Sequence, residues 1–215
     1  MGGRGTSSGI ERGATGGVGS VDVRSTTSLI SQREDGKQEE VDIVLSMLRE
    51  VQEQYGTELN DIQIATLAGS SASAIAYYDS NSNLAVNKQY FDNAKITQAY
   101  DDCIRSGFHP ARGFHSAMEA VVAHELGHHL TELIGLREGL GAWQIDRVAN
   151  QLVNTAMTNL GYRSTDRVRS GISGYAKQNN AEAVAEAYSD VYCNGDNAAP
   201  ESRAIVRELN RRLGR

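Results

Sequence analysis

His124-Glu125-Leu126-Gly127-His128 is the stretch on which the reading of this sequence turns. It lies within His115–Ile134, the clearest helical pattern in the chain, which Gly135 is expected to close. At 3.6 residues per turn, positions 124 and 128 sit one turn apart on one face, so both imidazoles can reach a single metal ion. Glu125 projects about 100° further round, where it can reach a metal-bound water without being a ligand itself. Val122, Leu126, Leu130 and Leu133 fall on the far side. The pattern predicts a helix buried on one side and polar toward a cleft on the other.

A catalytic zinc takes three protein ligands and keeps a fourth position for water, so a third ligand decides the reading. The extended pattern HExxHxxGxxH fails, because Thr131 and Ile134 occupy the glycine and histidine positions. His129 points about 100° away from His128 and cannot join the pair. His109 and His115 precede the helix across a loop and stay open as candidates. Cys193 is a soft donor in principle, although burial as a small apolar group accounts for it equally well. Glu182 and Glu186 stand one helical turn apart among alanines, in the segment Asn179 to Asp190. They can be read as a solvated acidic stripe. In the functional reading Glu182 is the third ligand, and Glu186 accepts the free ring N–H of a ligand histidine. Cys193 and Glu182 are separated by about 16 Å along one helix, so they cannot share an ion.

Around these two segments the chain of 215 residues reads as one domain with an appendage. Residues 1–36 hold eight of the first twenty positions as glycine, with few large apolar side chains, and are expected to form a flexible leader. Residues 37–215 form the folded domain: 37–135 carry a small sheet and the HExxH helix, 136–215 a helical part with the third ligand. Apolar spacing predicts helices over Glu39–Tyr55, closed by Gly56, and over Asn93–Arg105. Further helices are expected at Ala142–Leu160, Ala181–Cys193 and Pro200–Leu213, with Gly161–Asn179 irregular. Strands are predicted at Asp61–Leu67, Ala74–Tyr78 and Leu84–Phe91, the last two joined by the turn formers Asp79 to Asn83. Two prolines, three phenylalanines and this element pattern place the chain in the α+β class, with a small mixed or antiparallel sheet.

A net charge of −6 argues against a dedicated nucleic-acid binder. The five arginines of residues 201–215 read as the solvated face of a terminal helix. Two cysteines without CxxC spacing exclude a disulfide framework. With no apolar run of membrane-spanning length and no hydrophobic region at the start, neither a membrane span nor a signal peptide is expected. The expected location is cytoplasmic or virion-associated.

HExxH followed some fifty residues later by Glu-x-x-Ala-Glu resembles the gluzincin metallopeptidases, and within them the catalytic-domain family of the anthrax toxin lethal factor. There the downstream segment reads as tyrosine, six residues, the ligand glutamate, then Phe-Phe-Ala-Glu-Ala-Phe. Here Tyr175 stands seven residues before Glu182, which continues as Ala183-Val184-Ala185-Glu186-Ala187-Tyr188. The resemblance covers residues 105–195. It implies a zincin-like fold, zinc on His124, His128 and Glu182, Glu125 as base, and Tyr175 as donor to the developing oxyanion. The family's aromatic pair is Ala183-Val184 here, so packing beside the ligand must differ. The Gly-rich start is also similar to proteins encoded in phage head-morphogenesis regions, some of which carry this domain.

The function expected is a zinc-dependent endopeptidase, hydrolysing a peptide or protein substrate through a zinc-activated water. An extended substrate is expected to add to a sheet edge, with Leu84–Phe91 as that edge. The alternative is a non-enzymatic phage morphogenesis protein that retains the fold, with phage structural partners. A secreted toxin effector is a third reading.

Overall fold

The structure, a computed structural model, describes residues 23–28, 35–57, 61–68, 73–78, 83–140 and 144–215. Among these, four strands and seven α-helices alternate in segregated fashion, an α+β arrangement. The strands are β1 (Val23–Ser28), β2 (Asp61–Leu67), β3 (Ala76–Tyr78) and β4 (Asn83–Asn87). The helices are α1 (Gln38–Tyr55), α2 (Asn93–Arg105), α3 (Ala117–Arg137), α4 (Ile145–Asn159), α5 (Thr165–Ile172), α6 (Asn180–Asn194) and α7 (Pro200–Arg212). No described helix is long and apolar enough to cross a membrane.

The sheet runs in the order β1-β2-β4-β3. β2 and β4 are parallel, with Ile64 opposite Val86, while β1–β2 and β3–β4 are antiparallel. Alternation along the strands sorts side chains between faces. Ile64, Leu84 and Val86 join the main core, whereas Ala65, Leu67 and Ala85 form a smaller cluster on the other face.

Local chemistry sets the helix ends. Gly56 adopts φ 64° and closes α1 by donating its N–H to Gln52. Asp92 caps α2 through Ala94 N and Lys95 N. Ser116 and Glu119 form a reciprocal capping box at the start of α3.

α3 lies at the centre of the molecule, packed between the sheet and α1 on one side and α6 on the other. It is therefore buried around its whole circumference from Ala120 to Glu132, not on one side as an amphipathic pattern predicts. On the sheet side, His129 bonds Tyr78 Oη through Nδ1 and Thr57 Oγ1 through Nε2, both at 3.0 Å, and Tyr78 donates onward to Glu132. Burial holds the His129 imidazole down at about 4.

Several sequence expectations need correction. Val23–Ser28, assigned to the leader, is a strand paired with β2, because an open strand edge supplies the backbone partners that a composition argument ignores. Leu84–Phe91 is not a sheet edge. Its strand ends at Asn87, a single 3₁₀ turn covers Lys88–Tyr90, and β4 is flanked by β2 and β3. Gly135 does not end α3, which continues to Arg137. Within Gly161–Asn179 lie α5 and a 3₁₀ turn, Tyr175–Lys177. Residues 1–22 and 29–34 of the leader, the turn at 79–82 and the expected helix start at Ala142 lie outside the described residues.

Candidate metal centre

α3 and α6 cross at Gly127, where α3 has no side chain and α6 presents the small Ala185. A Cβ on Gly127 would stand 2.7 Å from Ala185 Cα and 3.1 Å from Tyr188 Cβ. This close approach brings the first turn of α6 up against the 124/128 face of α3. Asn179 caps α6 by accepting Glu182 N–H at 2.8 Å, which leaves the Glu182 carboxylate free to turn toward α3. A carboxylate in a helix's first turn is also favoured by the helix dipole.

Three side chains meet there. Glu182 Oε2 lies 3.2 Å from His124 Nε2 and 3.5 Å from His128 Nε2. One donor atom from each residue falls within 4.8 Å of the others, and all three residues are buried. Ligands at 2.0–2.2 Å from a tetrahedral zinc lie roughly 3.3–3.5 Å from one another. The two separations from Glu182 fall close to that spacing. His124 Nε2 and Glu182 Oε2 are also buried with no hydrogen-bond partner, since their 3.2 Å contact is poorly aligned for one. Two lone-pair-bearing atoms facing one another in the interior are a cost that a shared cation removes. The group could hold a metal ion.

Glu186, one turn further along α6, turns toward the same ring from behind. Its Oε1 accepts from His124 Nδ1 at 2.8 Å, the outer-carboxylate role expected for it. Glu186 accepts two further hydrogen bonds, from His109 Nδ1 at 3.0 Å and from Ser173 Oγ at 2.7 Å. Burial pushes its carboxyl up, but the charge and N–H groups of His109 and His124 outweigh this and hold it far below the carboxylate range. Glu182 is likewise raised by burial and lowered more by His128 and His124, to about 2. Burial lowers both rings, but Glu186 and the Cys103 side chain raise His109 to about 9, and Glu182, Glu186 and Glu125 raise His124 well above its ordinary value. Without a metal, the protonated rings of His109 and His124 thus face the carboxylates of Glu182, Glu186 and Glu125 in one buried cluster.

Glu125 is 1% exposed and close enough to His124 for its charge to help hold that ring protonated. Tyr175 is buried, with its ring centroid 5.7 Å from that of His124 and 5.0 Å from Phe108. Two backbone bonds fasten its segment: Gly174 N to Gly107 O at 2.8 Å and Tyr175 N to Phe108 O at 2.9 Å.

No family model matches this chain, and no curated protein or solved structure is similar to it.

All six residues singled out from the sequence, His124, Glu125, His128, Tyr175, Glu182 and Glu186, fall in this one region. The rival ligands do not join the three converging groups. His115 bonds Glu119 at the start of α3 and lies against Tyr192. Cys193 is buried toward the far end of α6, its thiol pushed up to about 12 by burial and by the charges of Glu119 and Asp190. His109 bonds Glu186 and is not among the three converging groups. Sequence reasoning missed Ser173 and the place of His109. Both reach Glu186 from irregular segments whose course no periodicity reports. It missed Gly127 as well, although a residue without a side chain between two ligand histidines is itself the signal of a close neighbour.

Proposed function

We propose that this chain is a zinc-dependent endopeptidase of zincin-like fold, with His124, His128 and Glu182 as ligands. The observation that carries the reading is the convergence of three buried donor atoms from α3 and α6 on one point, with Glu125 at its edge. When bound, zinc supplies a Lewis acid for the scissile carbonyl and lowers the pKa of a coordinated water to about 7.

The side chains do the rest. Glu186 keeps the His124 proton on Nδ1, so that Nε2 presents its lone pair toward Glu182. Glu125 takes a proton from the attacking water and delivers it to the leaving amine. Tyr175 donates its phenolic O–H to the developing oxyanion. An extended peptide is best accepted at an outer strand, β1 or β3 and not the interior β4, and of these β3 is the one packed against α3.

The intact Glu125 favours an enzyme over a structural relative, since a purely structural zinc has no use for a base. Such sites also close with four protein ligands, whereas three converge among the described residues. Elemental analysis of wild type and Glu182→Ala, with a cleavage screen of Glu125→Gln, tests the reading. The wild type should hold one zinc per chain and Glu182→Ala should lose it. Glu125→Gln should keep zinc and lose proteolysis. Unchanged metal in Glu182→Ala, or turnover retained by Glu125→Gln, refutes the assignment.

A further inference from the structure

Glu186 is engaged more heavily than an outer carboxylate serving one ligand requires. Its Oε1 receives both His124 Nδ1 and His109 Nδ1, and its Oε2 receives Ser173 Oγ. An ionised carboxylate can only accept, so both rings carry a proton on Nδ1. For His124 this directs Nε2 at Glu182. His109 gains nothing of the kind, yet it is buried and stacked on Tyr100, with centroids 5.1 Å apart and planes within 3°.

The soft degree of freedom at Glu186 is rotation about its terminal torsion, which is broad for a glutamate. Its three donors come from three parts of the chain: α3, the loop after α2 and the segment before Tyr175. Together they fix the plane of the carboxylate, and with it the ring plane of His124. The same loop carries Gly107 and Phe108, whose carbonyls hold the backbone of Gly174 and Tyr175.

We propose that His109 is a positioning residue of the metal centre: by donating Nδ1–H to Glu186 Oε1 it locks the carboxylate that orients His124, and it anchors the loop that holds Tyr175. The inference rests on the metal-centre reading above and adds a residue that touches neither metal nor substrate.

The test is zinc affinity, measured by competition of Zn²⁺ against a chromophoric chelator for wild type, His109→Phe and His109→Asn. Phenylalanine keeps the stacking on Tyr100 and has no donor, so affinity should fall 10- to 100-fold. Asparagine offers an amide nitrogen where Nδ1 stood and should stay within about threefold of wild type. His109→Phe binding zinc like wild type overturns the proposal, and so does an equal loss in both variants, which would mark a packing effect alone. A second measurement is independent of any variant's folding. Long-range ¹H–¹⁵N correlation on the zinc-loaded wild type should find His109 protonated at Nδ1, and an unprotonated Nδ1 overturns the proposal. Failure of the wild type to bind zinc at all removes the metal-centre reading itself, a result distinct from a zinc-binding wild type indifferent to His109.

Discussion

Tyr175 enters the centre on a single 3₁₀ turn whose backbone is held by two bonds to the loop at Gly107 and Phe108, bonds that a change of side chain leaves in place. Tyr175→Phe should therefore leave metal content unchanged while lowering turnover by about 10²–10³, the loss typical of one oxyanion donor. Loss of zinc in this variant would show that the phenol supports the fold of the centre. Cys193 permits a different check. Burial raises its thiol to about 12, so its thiolate fraction at pH 8 is lower by roughly a thousandfold than that of a free cysteine. Iodoacetamide should label it at that pH only after unfolding, and rapid native labelling, read by mass spectrometry, would contradict its burial. At this scale the sequence was most informative where the chemistry repeats with the helix. Positions 124 and 128, then 182 and 186, announce themselves by spacing. Ser173 and His109 reach the same carboxylate through tertiary contacts, which leave no mark on spacing.

Between elements, the decisive contact is the crossing of α3 over α6. Two glycines of α3 give a paired prediction. A Cβ at Gly127 meets backbone at 2.7 Å, and backbone cannot yield as a flexible side chain does. Gly127→Ala should push α6 outward, cost about 1–3 kcal/mol in stability, and weaken zinc binding because Glu182 rides on that helix. A Cβ at Gly135 meets side chains alone, Val148 Cγ2 at 3.6 Å and Leu140 Cβ at 3.9 Å, both ordinary contacts. Gly135→Ala should be neutral or stabilise by up to about 1 kcal/mol through helix propensity. Chemical denaturation and chelator competition on both variants check the contrast, and equal effects would contradict the packing argument. The same glycine explains an error of reading. Gly135 resembles a helix stop, yet α3 is held by packing on both sides and runs through it. α5 escaped notice for the opposite reason: only Val168 and Ile172 of its eight residues are buried, too few to make a periodic pattern. The strand at 23–28 was hidden because backbone pairing needs no distinctive composition.

At the level of the whole molecule, the centre is set into a core that does not depend on it. One contiguous apolar cluster runs from Val41 in α1 through α3 to Leu213, past α7, with side chains from every α-helix described. In the metal-free cluster His109 and His124 hold protons against Glu182 and Glu186, which offsets part of the buried negative charge. A small domain whose fold is made by zinc unfolds when the ion is stripped. This chain should behave otherwise. Metal-free protein should keep its helical circular dichroism and melt cooperatively, since the hydrophobic core remains. Free zinc at a hundredfold excess over Kd adds about 2.7 kcal/mol by mass action. At the size of this chain each kcal/mol moves Tm by about 2–4 °C, so chelation should lower Tm by roughly 5–11 °C. In Glu182→Ala that dependence on zinc should vanish. Collapse of the circular dichroism on chelation would instead make the metal a structural staple, and the three-ligand arrangement would then have to be reconsidered as part of the folding nucleus.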